Sequence, residues 1–319
     1  MSDAAKAKPM WRRLIGPVLL LAILFFLLLY LKSIDWHKIA QLSVNWYWLV
    51  LASVLAMAGR YWAVNVWRVI LSCLGVEKLP PYGAMAQVFA KAWMARYIPG
   101  TVAWVAGRIY LASQYGISVS RLTVSSLLEG GMQIVAGIVL SLILIALGGN
   151  VSDISMPVKV FAVVVALLSM LALLPPIFNR ILHVAHLAVK RRKASDELRV
   201  NGKAVSRSFL LFCIGTLIAG TANYFVAKSI MPHLGGDHYL YMVGVFGLAG
   251  AIGIATPFLP SGIGVRDGIQ LVLLALIMPK ETALAVTVLS RLWSVVVDVL
   301  FFLVAVGFHH RQRQVDKAA

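Results

Sequence analysis

The amino-acid sequence predicts an all-α polytopic membrane protein with about six full spans and two re-entrant or broken-helix hairpins, arranged as an inverted repeat. Of the 319 residues, 61 % are hydrophobic and only 13 % are charged, and the mean hydropathy is +0.86. A soluble domain does not have this composition. The hydrophobic residues also form long runs, several of them near the roughly 20 residues that a helix needs to cross a bilayer.

The basic residues are explained by membrane topology rather than by nucleic acid. The formal net charge is +17, but the cations cluster in the connections between apolar runs, where the positive-inside rule places them. We therefore expect no nucleic-acid binding. Cys73 and Cys213 lie within apolar runs, so we expect neither a disulfide nor a metal site. The sequence contains no GxxxxGK[ST] motif, so we expect no direct use of ATP, and no cofactor is implied.

The first apolar run, residues 14–31, is interpreted as an uncleaved first span. It contains 18 residues and follows four basic residues, and the segment after it lacks the small-x-small pattern of a signal-peptide cleavage site. Five further runs are also predicted to span, and the third of these links the two repeat units. Their ranges are 47–72, 121–147, 158–178, 208–230 and 282–307.

Two stretches do not fit a simple span. Residues 83–116 and 239–278 each contain an apolar piece, a Pro/Gly break and a second apolar piece. Each piece is short for a span, which is typical of a re-entrant hairpin or a broken helix. Two additional pairs of spans are an alternative, because they leave the parity of the topology unchanged.

The distribution of Lys and Arg predicts the orientation of the chain. The connection 179–207 carries eight Lys and Arg residues, whereas the connection 148–157 carries none. We therefore place 179–207 and both termini on the cytoplasmic side of the inner (plasma) membrane, and 148–157 outside. The first hairpin then belongs to the cytoplasmic face and the second to the outer face.

The order of segments around the two breaks is repeated. Glu129 lies in a span 30 residues beyond Pro99, and Arg291 lies in a span 31 residues beyond Pro260. Inverted repeats with interrupted helices are typical of alternating-access transporters. The predicted organisation is a single membrane domain, 1–319, with repeat units 47–147 and 208–307.

The breaks predict an anion-binding centre. The half-helices that begin near Gly100 and Gly262 present free N–H groups and the positive ends of their dipoles, which attract anions. If the two units are inverted, both ends point toward the bilayer midplane. Four glycines at every third position, from Gly244 to Gly253, instead predict close helix packing.

The charged residues within the apolar regions also favour binding of an anionic ligand. Each costs roughly 2.5–3.5 kcal/mol at a helix centre, and the cations outnumber the anions. Arginine predominates, which favours a phosphate-bearing lipid headgroup. The cations are Arg60, Arg68, Lys91, Arg96, Arg108, Arg266 and Arg291, and the anions are Glu129, Asp267 and Asp298.

Individual roles follow from position. Arg68, Lys91 and Arg96 are expected to extend to a membrane interface. Asp267 adjoins Arg266 and is expected to orient it, and Glu129 is expected to pair with Arg291 across the two units. The opposing interpretation is that these charges only neutralise one another. The predicted headgroup-binding residues are Arg60, Pro99, Gly100, Arg108, Glu129, Gly262, Gly264, Arg266, Asp267 and Arg291, with no catalytic or metal-binding residue.

Two segments resemble a known family. The stretch "PSGIGVRDG", followed by "ETALAVTVLSRLW", is similar to the signature of the lysylphosphatidylglycerol synthase transmembrane-region family, also called flippase-like domain proteins. The stretch "YIPGTVAWVAGRIYLASQYGIS" resembles an earlier element of that family, and Glu129 stands where the family often has a glutamate. Ser261 replaces the usual glycine and Asp267 the usual glutamate. The resemblance implies lipid translocation, or an accessory role in lipid-linked biosynthesis, for the membrane part alone.

Three functions are consistent with these features of the sequence. The first is transport of an anionic phospholipid or a polyprenyl-phosphate lipid between leaflets. The second is an intramembrane enzyme that acts on a lipid-linked substrate, with Glu129 or Asp267 as acid or base. The third is a non-catalytic membrane partner of a lipid or glycolipid synthase. A homo-oligomer is compatible with each of these functions.

Overall fold

The computed structural model describes residues 43–97, 102–148, 156–172, 174, 176–180, 183–184, 202–256, 262 and 264–318. The predicted span 14–31, most of the basic connection 179–207, and two predicted site residues, Pro99 and Gly100, lie outside the described residues.

The described chain is helical throughout its regular elements. Two 3₁₀ turns, Ala95–Tyr97 and Gly236–His238, accompany the α-helices. The helices are α1 Trp46–Cys73, α2 Tyr82–Met94, α3 Val102–Ser113, α4 Val119–Gly148, α5 Met156–Ala172, α6 Gly202–Ile230, α7 Tyr239–Ala255, α8 Val265–Leu274 and α9 Lys280–Ala318.

Within the described residues, five helical segments are long and apolar enough to cross a membrane. Four of them, α1, α4, α6 and the part of α9 up to Gly307, confirm spans predicted from the sequence. The fifth is Gly236–Ala255, the first piece of the second hairpin, because the 3₁₀ turn extends α7 to 20 residues. The predicted linking span appears as α5, whose 17 residues leave an apolar surface exposed, as in a lipid-facing helix.

Helices α1 and α6 run antiparallel to each other. At the start of α1, the N–H of Asn45 donates to the carbonyl of Ser229 at the end of α6, at 2.7 Å. Further along, Trp62 Nε1 donates to the carbonyl of Leu211 at 2.9 Å. Residue numbers thus rise along one helix as they fall along the other.

Helices α4 and α7 are also antiparallel, and small residues bring their backbones together. A Cβ atom on Gly137 would lie 2.8 Å from that of Ala251, and a Cβ on Gly244 would lie 2.8 Å from the carbonyl oxygen of Ser141. Gly250, by contrast, faces open space. The glycine repeat therefore serves close packing, as predicted, since this approach leaves no room for larger side chains.

Helix α2 packs antiparallel against α9 in an apolar cluster. Phe89 of α2 contacts Phe301 of α9, with ring centres 6.4 Å apart, and Arg96, just beyond α2, lies near Asp298 of α9. Ala112 near the end of α3 and Met85 near the start of α2 belong to this same cluster. The two ends of the first hairpin therefore lie together.

The two ends of the second hairpin also lie together, at the opposite end of the bundle. The hydroxyl of Tyr241, near the start of α7, donates to the carbonyl of Leu273, near the end of α8, at 2.9 Å. Both helices share an apolar cluster with Ile230 and Leu234, at the end of α6 and just beyond it.

One end of the bundle is basic, and we call it the basic end. It contains the last turns of α1 and the starts of α4 and α6. Arg68 and Arg207 line one cavity there, and Arg121 approaches the turn that follows α1. Lys203 lies in the first turn of α6 at the same end.

Candidate anion-binding site

The break before α8 depends on glycine. Gly262 and Gly264 have φ of +64° and +85°, a region that other residues rarely adopt. A Cβ on Gly262 would also lie 2.7 Å from the Cα of Gly253 in α7. The carboxylate of Asp267 accepts a hydrogen bond from the N–H of Gly264 at 3.2 Å. Asp267 therefore caps the short helix that carries Arg266.

Two arginines and a tryptophan surround a buried carboxylate near the middle of α9. Asp298 Oδ1 lies 2.6 Å from Arg60 Nη2 and 2.8 Å from Arg60 Nε. Asp298 Oδ2 lies 3.8 Å from Arg96 Nη1. The two guanidinium carbons are 4.9 and 4.4 Å from the centre of the Trp93 ring. We call these four residues the arginine–tryptophan cluster.

The cations of this cluster are more accessible than its anion. The side chains of Arg60 and Arg96 are 24 % and 21 % exposed, whereas that of Asp298 is 1 % exposed. Trp93 Nε1 is buried and has no hydrogen-bond partner among the described residues. A ligand that approaches the cluster therefore meets the guanidinium groups rather than the carboxylate.

The second hairpin adds positive charge to the same region. Arg266 is within electrostatic range of Asp267, and also of Arg291, Arg60 and Asp298. Its Nε is buried and has no hydrogen-bond partner in the described part of the chain. The stem of the Arg266 side chain packs over Gly253 of α7, where an added Cβ would lie 3.1 Å from the Arg266 Cβ. The fold thus gathers basic residues from α1, α9 and both breaks.

A second ion pair is fully buried between α3 and α4. Arg108 Nη2 lies 2.7 Å from Glu129 Oε2, and donates to Ser126 Oγ at 3.2 Å. The guanidinium carbon lies 5.0 Å from the ring centres of both Trp67 and Trp104. The side chains of Arg108 and Glu129 are only 2 % and 6 % exposed. We call this pair with Ser126 the Arg108 centre.

One predicted pairing is wrong. Glu129 pairs with Arg108 rather than with Arg291, because α3 packs against α4 within the same unit. Arg96, expected to extend to an interface, instead stacks on Trp93 near Asp298. Lys91 is exposed, as expected.

The predicted site residues within the described chain separate into two groups. Arg60 and Arg291 each lie within electrostatic range of Arg266. Arg108 and Glu129 form a separate, enclosed pair. Gly262, Gly264 and Asp267 shape the break that presents Arg266.

A buried polar contact in the second unit was not predicted from the sequence. Gln270 of α8 is 1 % exposed, and its Nε2 donates to Ser290 Oγ at 3.0 Å and to Thr287 Oγ1 at 3.4 Å in α9. Gln270 lies ten residues beyond Pro260, and Arg108 lies nine beyond Pro99. This matched spacing was the available signal. Trp93 and Asp298 were also left out of the predicted site.

Fold and charges together define a helical, multi-pass membrane protein with basic residues gathered inside its apolar bundle. The family model described as lysylphosphatidylglycerol synthase TM region matches residues 13–301. The chain belongs to this family, a group of membrane proteins involved in lipid handling. No curated protein matches the sequence.

Proposed function

We propose that this protein moves a lipid with an anionic or phosphate-bearing headgroup between the two leaflets of the inner membrane. One observation carries the proposal: the excess of cations around Asp298. Among the described residues, Arg60 and Arg96 lie 2.6 and 3.8 Å from the Asp298 carboxylate. Arg266 lies within electrostatic range of both Asp298 and Asp267, so these three cations outnumber the two carboxylates. Charges at membrane depth are costly and mark substrate pathways, and an anionic ligand offsets this excess.

The donors of the site suit a phosphate. Arginine presents a planar fork of N–H groups that binds phosphate oxygens in pairs. Trp93 Nε1 and Arg266 Nε add donors without hydrogen-bond partners among the described residues. The first turn of α8, beside Arg266, adds backbone N–H groups that favour an anion. The chemistry of the site is therefore binding and orientation of a headgroup, without a covalent step.

The helix packing supports an inverted repeat. We match α1, α2, α3 and α4 of the first unit with α6, α7, α8 and α9 of the second. The matched helices α1 and α6 run antiparallel, as inversion requires. The pair α2–α9 then corresponds to the pair α7–α4, and both pairs are in contact. Gln270 and Arg108 occupy corresponding places against α9 and α4.

The positions of the hairpin ends support re-entrant hairpins. The start of α2 lies with the end of α3, and the start of α7 lies with the end of α8. Each hairpin then returns to the face from which it entered. Irregular backbone within a membrane is stable only where it faces protein or water. The described residues beside the two breaks, Arg96 and Gly264, are therefore expected to face protein or a polar pathway for a headgroup.

The charge at the bundle ends supports a cytoplasmic location for the basic end. Helix α6, which follows the connection 179–207, is consistent with this, because it begins at the basic end with Lys203 and Arg207. Helix α9 also reaches that end, since Ala305 belongs to the same apolar cluster as Val76. The C-terminus is then cytoplasmic.

Leaflet exchange in liposomes tests the proposal. The purified protein would be reconstituted with fluorescent phosphatidylglycerol, and accessibility of the label to an external reductant would be followed. We expect the protein to accelerate exchange and the double variant Arg96→Ala/Arg266→Ala to reduce it at least tenfold, since two charged contacts are lost. Lys91→Ala is the control, because Lys91 is an exposed cation of α2.

Three results would count against transport. Exchange no faster than in empty liposomes, with phosphatidylglycerol and polyprenyl phosphate alike, would remove the basis for a translocator. A mass change in the lipid would point instead to an intramembrane enzyme. Stable co-purification with a synthase, combined with the absence of exchange, would favour a partner role.

A further inference from the structure

A cavity opens at the basic end, about 12 Å along α1 from Arg60, since Arg68 is eight residues further along the helix. Its volume is about 290 Å³. It lies between the last turns of α1, the connection that follows and the first turns of α6. The lining residues are Asn65, Arg68, Val69, Ser72, Leu79 and Arg207.

Two arginines from distant parts of the chain converge on this cavity. Arg68 comes from α1 and Arg207 from α6. Across the residues that the structure describes, neither forms an ion pair with a carboxylate. Two like charges that face one cavity repel each other, and an anion between them removes the repulsion.

The ring of Tyr82 holds the Arg68 side chain in position. Its guanidinium carbon lies 5.4 Å from the centre of the Tyr82 ring. The Tyr82 hydroxyl donates to the carbonyl of Tyr61 at 3.1 Å, which fixes that ring. Arg68 thus packs on a rigid aromatic face, and stacking of this kind orients a guanidinium group.

The remaining lining suits a phosphate attached to an apolar body. Asn65 and Ser72 provide an amide and a hydroxyl that can donate to phosphate oxygens. Val69 and Leu79 form an apolar wall. The cavity lies at the basic end of the bundle, where Arg121 and Lys203 add positive charge that attracts an anion.

We propose that this cavity is a second anion site, which binds the phosphate group of a lipid headgroup or of a soluble phosphorylated molecule. It is separate from the arginine–tryptophan cluster, because it shares no residue with it. The proposal does not depend on lipid transport, since it concerns binding alone.

Native mass spectrometry of the full-length protein tests this site. The protein would be titrated with dioleoyl phosphatidylglycerol, and with glycerol 3-phosphate in a second series. We expect Arg207→Gln and Arg68→Gln each to weaken binding of one ligand molecule by about tenfold, the effect of one charged contact. Lys203→Gln is the matched control, because Lys203 lies one turn before Arg207 and does not line the cavity.

The two series distinguish the source of the phosphate. Loss of phosphatidylglycerol from both arginine variants supports a lipid headgroup, and loss of glycerol 3-phosphate alone supports a soluble ligand. Unchanged binding of both ligands in Arg207→Gln overturns the site, because Arg207 is exposed and its replacement does not disturb the core. The Arg266→Ala variant should retain the ligand of this cavity. Failure of the transport proposal can therefore be distinguished from failure of the second anion site.

Discussion

The stability of variants at the Arg108 centre tests how this helix bundle accommodates a buried charge. Glu129→Gln removes the carboxylate but leaves the guanidinium of Arg108 enclosed by Trp67, Phe89 and Trp104. Two of its nitrogens, Nε and Nη1, already have no hydrogen-bond partner among the described residues. Removal of one member of a buried ion pair costs about 3–5 kcal/mol. We expect Glu129→Gln to lower the free energy of unfolding by that amount.

The double variant Arg108→Gln/Glu129→Gln should cost much less than the sum of the two single changes. It replaces the ion pair with neutral amides, as in the second unit, where Gln270 bonds to hydroxyl groups of α9. A coupling energy of about 2–3 kcal/mol is expected for groups in direct contact.

Reversible unfolding in mixed detergent micelles measures these free energies. Asp237→Asn is the control, because this carboxylate is 72 % exposed and its pair with His238 lies outside the core. An exposed pair of this kind contributes about 1 kcal/mol or less. Strict additivity of the two single changes at the Arg108 centre would refute the argument, since it would mean that the two side chains do not interact.

Two further predictions concern packing and ligand binding. Gly244→Ala should destabilise the protein by about 1–3 kcal/mol, because the new Cβ would meet the Ser141 carbonyl oxygen. Gly250→Ala should be neutral or stabilising, because glycine is unfavourable within a helix. Unfolding in micelles compares the two variants. Equal effects would show that α4 and α7 do not pack closely there. Asp298→Asn should increase retention of phosphatidylglycerol in native mass spectra, because it frees Arg60 for a phosphate; reduced retention would show that Asp298 orients Arg60 for the ligand.

Much of the fold was predictable because the bilayer imposes simple length and composition rules. A span needs about 20 apolar residues, and such a run is visible in any sequence. The spans 47–72, 121–147, 208–230 and 282–307 were recognised on that basis, and α1, α4, α6 and α9 confirm them. The extent of α7 was less clear, because the 3₁₀ turn before it adds length that hydropathy alone does not assign.

The composition of the candidate site was predictable in part. Intramembrane charges are rare and therefore conspicuous, so Arg60, Arg266 and Arg291 were identified from the sequence. The surroundings of these arginines could not be predicted from the sequence. Trp93 resembled an ordinary apolar residue in an apolar helix, and only the approach of α2 to α1 places its ring beneath Arg60 as well as Arg96.

Ion-pair partners depend on which helices touch. Glu129 and Arg291 occupy matching places in the two units, and that match suggested a pair. Arg108 is instead the neighbour of Glu129, because α3 folds back against α4. Sequence spacing records the match between units, but a salt bridge requires charges within about 4 Å, which only packing determines.

The sequence by itself determined that this chain is a helical membrane protein, where its backbone breaks, and that its buried charge is mostly positive. These properties follow from local composition, because the free energy of transferring a residue into lipid depends mainly on that residue itself. The tertiary structure decided which cations share Asp298, which ion pair is buried between α3 and α4, and that Arg68 and Arg207 line one cavity. These contacts join residues of different helices, and only the packing of the helices against one another brings them together.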